Sequence, residues 1–347
     1  MMKRQRILFA PLDWGLGHAT RCIPLIRKEL DTGNEVILAA SGRSASLLRK
    51  AFPTIGVHAI PDYGVHYPSK GWLLGRLILQ VPAIMKAIRA EHVWLDEFLK
   101  REQIDLVVSD NRYGMYSRRT RSVIITHQLF PVVPPLLSGI THRLVMRHLS
   151  RFDEVWIPDY PGEENLAGTL CHGKLPLHAR FIGPLSRFPA DSPVTRPTNA
   201  PRALALVSGP EPQRTIFLEQ LREVLSALPM NSWIAEGSPE SDAIRQEGAL
   251  TIFPHLSDEQ FTEAIRLADV IICRSGYTTL MDLHTLGRDA WLVPTPGQTE
   301  QEYLAHHFSS KYAWQVIPQE DIVRELPERL AEHLAKSPSS HPHGTLR

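Results

Sequence analysis

The chain has 347 residues, of which 38 are Lys or Arg and 37 are Asp or Glu, so its formal net charge is +1. A near-neutral chain has no overall field that would recruit nucleic acid, and no nucleic-acid partner is expected. The length exceeds that of one typical core and predicts two α/β domains of roughly 150 residues each.

Short apolar runs alternate with longer amphipathic segments, which predicts alternating strands and helices. In the first half, the predicted strands cover 7–11, 35–39, 57–60, 106–108, 123–126, 154–157 and 180–182, and the clearest helices cover 19–31, 80–101 and 139–151. In the second half, strands are predicted over 203–207, 232–235, 250–253, 270–273 and 290–293. This alternation is typical of parallel sheets covered by helices, which bind ligands at the carboxyl ends of their strands.

A proline-rich stretch over 184–201 interrupts the alternation once and is interpreted as a linker. We therefore expect an amino-terminal α/β domain over 1–183 and a carboxy-terminal α/β domain over 202–325. A final helix with a disordered tail is expected over 326–347.

The first predicted strand is followed by the loop PLDWGLGHATR, which contains Gly15, Gly17 and His18. The glycines allow the backbone to approach a ligand closely, and His18 stands where the first helix begins. The plainer interpretations are two turn glycines and a helix-capping histidine.

The strand at 106–108 ends in a second polar cluster. It contains Ser109, Asp110, Asn111 and Arg112. His127 follows the next strand and reaches the same sheet edge, where open α/β sheets bind their ligands. Asp110 can orient His18, act as a base itself, or cap the next turn. His127 fits a core histidine better than a catalytic one.

The segment 271–305 carries the densest set of polar motifs. The loop after its first strand aims backbone N–H groups and the positive end of a helix at one point, which suits a phosphate. That loop contains Arg274, Ser275, Gly276, Tyr277, Thr278 and Thr279. Asp282, one helical turn later, suits ribose hydroxyls, and Gln301 and Glu302 after the next strand suit sugar hydroxyls. Together they predict a nucleotide-sugar site.

CRSG at 273–276, the acidic Asp282, VP at 293–294, and Gln301 with Tyr303 resemble the donor-binding half of the MurG-type GT-B glycosyltransferases of family 28. Those enzymes transfer N-acetylglucosamine from UDP to a lipid-linked acceptor. The resemblance spans most of the chain and implies an α/β, GT-B fold with two Rossmann-like domains facing a cleft. The family has glutamine and asparagine where this chain has Glu302 and Ala305, which are sugar-side positions.

The resemblance also implies roles for three loops. The loop with His18 is similar to the family's Gly-Gly-His loop, whose histidine lies near the acceptor and the donor phosphate, although Leu16 takes one glycine position. The loop VSGPEPQR, with Ser208 and Gly209, corresponds to a glycine-rich phosphate loop. The loop with His255 corresponds to one whose backbone reads uracil.

No spacing typical of a metal site is found. HEXXH is absent, His306 and His307 are adjacent, and the three cysteines, Cys22, Cys171 and Cys273, show no metal or disulfide spacing. We expect no metal and no essential cofactor, with a UDP-sugar as the donor substrate.

The acceptor and the location are less constrained. Residues 71–86 are apolar with Arg76 and Lys86 embedded, which suits either contact with an anionic bilayer or a core helix. Residues 122–141 carry no charged side chain, but their prolines favour a strand followed by a loop over a membrane span. The apolar run at 7–12 is too short for a secretory signal. A cytoplasmic location, with the inner membrane face as a place of contact, is expected.

These observations lead to the hypothesis of an inverting transferase that moves a hexose or N-acetylhexosamine from UDP onto a hydroxyl acceptor. Lipid-linked acceptors and cell-envelope glycans are the acceptor classes considered. His18 or Asp110 takes the acceptor proton. The acceptor side is predicted to contain Gly15, Gly17, Asn111, Arg112 and His127. UDP-sugar hydrolases and epimerases on the same fold, and a non-catalytic nucleotide-sugar-binding protein, are the alternatives.

Overall fold

The computed structural model describes residues 4–64, 73–188, 200–238 and 240–336. It divides into two compact units, Met1–Arg187 and Phe188–Arg347, and each unit contains one seven-stranded sheet. Most of the predicted linker, all of the predicted disordered tail and the start of the apolar segment 71–86 lie outside the described residues.

Seven parallel strands form the sheet of the first unit. They are β1 (Arg6–Pro11), β2 (Glu35–Ala40), β3 (Val57–Ala59), β4 (Leu106–Asp110), β5 (Arg121–Ile125), β6 (Glu154–Ile157) and β7 (Ala179–Phe181). Their order in the sheet is β3-β2-β1-β4-β5-β6-β7. All seven predicted strands are confirmed, with ends within two residues. The central strands are buried along almost their whole length, which explains their continuous apolar sequences.

The helices of this unit are α1 (Gly17–Asp31), α2 (Gly42–Ala51), α3 (Leu73–Arg101) and α4 (Pro135–Leu149), with a 3₁₀ turn at Gly168–Leu170. The prediction that α4 begins at 139, after a proline-containing loop, is wrong. Proline lacks an N–H, which the first helical residue does not need, and its fixed φ suits that position, so Pro135 can start the helix.

The sheet of the second unit also has seven strands. They are β8 (Ala203–Leu206), β9 (Ser232–Ala235), β10 (Arg245–Glu247), β11 (Leu250–Phe253), β12 (Val270–Cys273), β13 (Trp291–Leu292) and β14 (Gln315–Val316). Their order is β10-β11-β9-β8-β12-β13-β14, and β10 alone among these pairs antiparallel. The sequence did not predict β10 and β14, because these edge strands are short and largely polar and carry no apolar run.

The helices of the second unit are α5 (Gln213–Ser226), α6 (Asp258–Leu267), α7 (Tyr277–Thr285), α8 (Thr299–Tyr312) and α9 (Ile322–Lys336), with a 3₁₀ turn at Gln319–Asp321. The core of the unit packs α5 and α9 against the sheet: Phe217 and Leu221 meet Ile322, Leu326 and Leu330. The expected boundary at 325 therefore falls inside a helix that belongs to this core. Within the described part of the chain, no helix has the length and apolar character needed to cross a membrane.

Candidate active site

The first candidate site lies at the carboxyl edge of the first sheet. Pro11 at the end of β1 is paired with Asp110 at the end of β4, and Asp110 is paired with Ile125 at the end of β5. The strand order reverses direction at β1, because β2 lies on one side and β4 on the other. Open α/β sheets bind ligands at such a switch point, so the loops after β1, β4 and β5 form the expected location.

His18 and Asp110 come together at this edge. The Nδ1 atom of His18, near the start of α1, lies 2.7 Å from Oδ1 of Asp110. The Asp110 side chain is fully buried, whereas that of His18 is 14% exposed. The structure therefore places a partly exposed imidazole over a buried carboxylate. This is the geometry of the orienting role that the sequence left open for Asp110.

Arg21 completes the cluster, and the sequence prediction missed it. It lies one helical turn after His18, and Nε and Nη2 each lie 2.5 Å from one of the two oxygens of Asp110. Its Nη1 lies 3.3 Å from Nδ1 of His127, after β5. The pattern His18-x-x-Arg21 on a helix was the available signal, since residues three apart lie on the same face.

The electrostatics of the cluster favour an ionised Asp110. Burial alone would raise the pKa of this carboxyl, but the charges and hydrogen bonds of Arg21 and His18 outweigh burial and lower it to about 2. An ionised carboxylate only accepts hydrogen bonds, so Nδ1 of His18 must donate to it. The lone pair of a neutral His18 is then on Nε2, where it can accept a proton. This tautomer follows from the hydrogen-bond pattern.

The glycine loop preceding His18 is shaped for close approach. Gly15 has φ +92°, a conformation that side chains disfavour, and a Cβ placed there would meet no atom within 4 Å. Gly17 is the first residue of α1. The backbone of this loop is therefore open to a ligand on the glycine side.

Two residues that the sequence places on the acceptor side, Arg112 and His127, have buried side chains. Arg112 is fully buried. Its guanidinium donates to Oε1 of Glu91 at 2.6 Å and to the carbonyl oxygens of Pro11 and Pro61, both at 2.8 Å. These contacts are those of a structural residue, and the acceptor contact of Arg112 stays a prediction. His127 is also buried (3% exposed), and its Nδ1 lies 3.3 Å from Nη1 of Arg21.

Asn111 keeps its place as an acceptor-side candidate. Its φ of 56° is a left-handed conformation that asparagine tolerates, and its backbone N–H donates to the carbonyl of Ile125 at 3.2 Å. Its Oδ1 is buried and has no hydrogen-bond partner among the described residues. Such an atom is a ready acceptor for a donor that comes close.

The second unit gathers its loops in the same way. Cys273 at the end of β12 is paired with Leu206 of β8 and with Leu292 of β13, so the loops after these strands share one edge. The sheet order reverses at β8, between β9 and β12. The predicted phosphate loop therefore also lies at a switch point.

The amino terminus of α7 forms the predicted phosphate loop. Gly276 is the residue before the helix, Tyr277 at the helix start is buried, and Thr278 and Thr279 are partly exposed. The hydroxyl of Ser275, itself buried, donates to the backbone carbonyl of Gln301 at 2.7 Å. Ser275 thus ties this loop to α8, and the start of a helix is a place that suits an anion.

Asp282 and Gln301 flank this loop as the sequence predicted, but with restricted exposure. Asp282 lies in α7 and is 4% exposed, and Gln301 is 6% exposed. The Oε1 atom of Gln301 accepts the N–H of Thr295 at 2.9 Å, so it is the amide NH₂ that is left for a ligand. Glu302 is exposed and accepts the N–H of Gly297 at 2.7 Å, which holds the loop before α8.

Arg274, which is predicted on the donor side, turns its side chain inward, and its contact with the donor stays a prediction. Its side chain is fully buried, its guanidinium lies 4.0 Å from the ring centre of Phe217, and it donates to the carbonyl oxygens of Val293 and Gln213, both at 3.1 Å. Burial lowers the pKa of Arg274 to about 9. Arg274, at the end of β12, thus links the segment after β13 to the start of α5.

The two remaining donor loops are less engaged. Ser208 is exposed, and Gly209 has φ +108° with open space where a side chain would lie, so the backbone after β8 is accessible. Arg214, at the start of α5, donates to Glu211 and to Ser238 Oγ at 2.9 Å. His255, before α6, is partly buried.

One group of side chains among the described residues has metal-ligand chemistry, and the sequence did not predict it. Oδ2 of Asp159 lies 3.3 Å from Sγ of Cys171 and 3.3 Å from Nε2 of His172. Both Asp159 oxygens also accept backbone N–H groups, from Leu166 at 2.8 Å and Ala167 at 3.0 Å. Burial raises the pKa of the Cys171 thiol. The contacts present are those of a hydrogen-bonded loop anchor.

Comparison with known proteins gives concordant matches. Residues 244–344 match the glycosyltransferase family 28 C-terminal domain. An uncharacterized glycosyltransferase of Methanosarcina acetivorans is 25% identical over 313 residues, which cover 83% of this chain and 79% of that protein. The UDP-N-acetylglucosamine--N-acetylmuramyl-(pentapeptide) pyrophosphoryl-undecaprenol N-acetylglucosamine transferase of Psychrobacter cryohalolentis is 22% identical over 303 residues, covering 80% and 75% of the two chains.

Among solved structures, the spinosyn rhamnosyltransferase SpnG complexed with thymidine diphosphate matches with a TM-score of 0.60 at 16% identity, covering 95% of this chain and 91% of that one. The calicheamicin glycosyltransferase CalG4 matches with a TM-score of 0.59 at 14% identity, covering 96% and 93%. These similarities show the fold. Together with the sequence matches, they show a glycosyltransferase of GT-B fold whose carboxy-terminal part matches the family 28 domain.

Proposed function

We propose that the protein transfers a hexose or N-acetylhexosamine from UDP to a hydroxyl acceptor, with inversion at the anomeric carbon. The observation that carries the proposal is the His18–Asp110 pair, in which a buried, ionised carboxylate holds a partly exposed imidazole beside an open glycine loop. A pair of this kind is suited to take a proton from a hydroxyl group.

In the proposed reaction, Nε2 of His18 removes the acceptor proton as the acceptor oxygen attacks the anomeric carbon from the face opposite the diphosphate. The new carbon–oxygen bond forms as the bond to the diphosphate oxygen breaks, so UDP leaves with the bonding electrons. Nδ1–H of His18 keeps its hydrogen bond to Asp110, which stabilises the imidazolium that forms.

The leaving diphosphate needs positive charge, and we assign this role to the start of α7. Gly276, Thr278 and Thr279 present backbone N–H groups and the positive end of the helix dipole, and Thr278 and Thr279 add hydroxyl donors. The open backbone at Ser208 and Gly209 lies on the same sheet edge and supplies further N–H groups. Backbone donors and a dipole meet this need without a metal ligand.

The remaining donor contacts are assigned by hydrogen-bond capacity. Asp282 accepts from the ribose hydroxyls, and the amide NH₂ of Gln301 donates to the sugar. Glu302, when ionised, only accepts, so it favours neutral sugars with hydroxyl donors and repels a sugar carboxylate. The loop of His255 is assigned to the uracil ring by its place after β11.

The acceptor is proposed to be lipid-linked, on the basis of one exposed helix face. Leu136, Ile140 and Leu144 are 93%, 59% and 48% exposed and recur every four residues along α4. Exposed Arg143 and Arg147 lie on the same helix. Apolar side chains beside arginines suit the surface of an anionic bilayer, where a lipid-linked acceptor would be presented.

Product analysis tests the proposal. The protein is incubated with UDP-N-acetylglucosamine or UDP-glucose, with and without a long-chain alkyl glycoside that offers hydroxyl groups and a lipid-like tail. Transfer predicts a new glycoside of inverted anomeric configuration together with UDP, and His18→Ala should lower its rate about a hundredfold to ten-thousandfold. Free sugar released without any acceptor would show a hydrolase, and UDP binding without turnover would show a non-catalytic protein.

A further inference from the structure

Arg21 lies in the catalytic cluster without facing a ligand. The side chain is 1% exposed, and its fork contacts both oxygens of Asp110 at 2.5 Å, while Nη2 lies 3.1 Å from Nδ1 of His18. Because Nδ1 of His18 already donates to Asp110, it does not accept a hydrogen bond from Nη2 of Arg21. When His18 is protonated, the two positively charged side chains of Arg21 and His18 lie next to each other. Arg21 therefore acts on the imidazole by charge and not by a hydrogen bond.

The charges of Asp110 and Arg21 act on His18 in opposite directions. A carboxylate alone beside a histidine favours the imidazolium and raises the pKa of the histidine. Here the charge of Arg21 compensates that of Asp110, so protonation of His18 adds a positive charge to a pair that is neutral overall. The imidazolium thus gains less from Asp110 than it would without Arg21.

Among the described residues, three other titratable groups belong to this cluster or to the loop before α1. Cys22, also on α1, has Sγ 3.7 Å from Oδ2 of Asp110. His127 after β5 contacts Arg21. Asp13, in the loop before α1, accepts the N–H groups of Arg43 and Ser44 at the start of α2. Arg21 is the group among these that carries a positive charge directly against both members of the pair.

We propose that Arg21 is a positioning residue that fixes the Asp110 carboxylate with its guanidinium fork and sets the pH range over which His18 works as the base. The inference rests on the proposed role of His18. It separates two contributions of Arg21: its charge sets the titration of His18, and its planar fork sets the orientation of Asp110.

The test uses two substitutions and a matched control. Arg21→Met removes both the charge and the fork, and Arg21→Lys keeps the charge but loses the fork. Arg112→Met is the control, because Arg112 is equally buried and also paired with a buried carboxylate, Glu91, at 2.6 Å. The titration of His18 is followed by NMR of histidine-labelled protein, with His18→Gln assigning its signal, and kcat is measured across pH.

In Arg21→Met, the midpoint of the His18 titration should rise by at least about one pH unit, because a charge about 4 Å away changes a pKa by about three units at an effective dielectric of about 20. The acid limb of kcat should move up with it. In Arg21→Lys the midpoint should stay within a few tenths of a unit while kcat falls. Arg112→Met should leave the midpoint unchanged whatever its effect on stability.

An unchanged or lowered midpoint in Arg21→Met overturns the charge role, and wild-type kcat in Arg21→Lys overturns the positioning role. If Arg21→Met does not fold, Arg21→Lys provides the test. A His18 titration midpoint in Arg21→Lys that differs from the wild-type midpoint by a full pH unit overturns the charge role. Failure of the proposed function looks different. The NMR midpoint would then shift as expected, but the acid limb of kcat would not follow it and His18→Ala would remain active.

Discussion

Asp110→Asn removes the carboxylate that Arg21 and His18 share, and the structure sets the size of the effect. A pKa lowered from 3.8 to about 2 corresponds to about 2 kcal/mol of stabilisation at neutral pH. Asparagine also leaves the guanidinium of Arg21 buried without its counter-ion, and breaking a buried pair costs about 3–5 kcal/mol. The larger figure applies at pH 7, because it includes the unpaired charge.

The pH dependence provides the sharper test. A carboxylate with a lowered pKa in the folded state stabilises the protein fully above its unfolded pKa, near 4, and loses this contribution as the pH falls toward about 2. Wild type loses the contribution of Asp110 over this window, whereas Asp110→Asn has none to lose. The difference in unfolding free energy between the two proteins should therefore narrow between pH 4 and pH 2.

Urea unfolding of both proteins in half-unit pH steps measures this difference, and other acidic groups cancel because they titrate in both. Adding Arg21→Met to Asp110→Asn should recover part of the lost stability, since it removes the unpaired charge. A difference that stays constant from pH 5 to pH 2.5, or no difference at pH 7, would refute the reasoning.

Three further predictions concern the second unit. Asp282→Ala should weaken UDP binding by about 1.5–3 kcal/mol in a folded protein, measured by calorimetry, and unchanged affinity would remove Asp282 from the site. In competition assays, wild type should use UDP-glucose and UDP-N-acetylglucosamine in preference to UDP-glucuronic acid, and Glu302→Gln should reduce that preference. Preferential use of UDP-glucuronic acid would contradict the assignment of Glu302 to the sugar pocket. Arg274→Met should lower the urea midpoint without changing how UDP affinity depends on salt, because the guanidinium that it removes is buried. A smaller salt dependence in the variant would instead show direct phosphate contact.

The sequence predicted the strands well because buried parallel strands leave a continuous apolar signal. The run at 250–253 and the strand at 232–235 match the structure residue for residue. The edge strands β10 and β14 carry no such signal, since their pairing depends on a neighbour and not on their own sequence. The start of α4 was misplaced because proline breaks a helix in its interior but suits its first residue.

The sequence predicted which residues lie at the sheet edge, because their position after a strand determines that. It did not predict which partners their side chains bind, because tertiary packing determines that. His18 and Asp110 follow strands whose carboxyl ends are paired, and the sheet edge brings them together. Arg112 and Arg274 follow strands in the same way, but both turn inward to buried carbonyl groups. Arg21 ends the motif PLDWGLGHATR but was given no role, and the folded cluster shows that its fork fits Asp110.

The nucleotide diphosphate that the second unit binds tests the proposed UDP-sugar donor most directly. Calorimetric titration of the wild-type protein with UDP, TDP and GDP, repeated with Asp282→Ala, measures this in one experiment. We expect UDP to bind more tightly than GDP and TDP, and the Asp282→Ala variant to lose most of that affinity while its unfolding midpoint is retained. Binding of GDP in preference to UDP, or no heat with any nucleotide diphosphate, would contradict the assignment of a UDP-sugar donor.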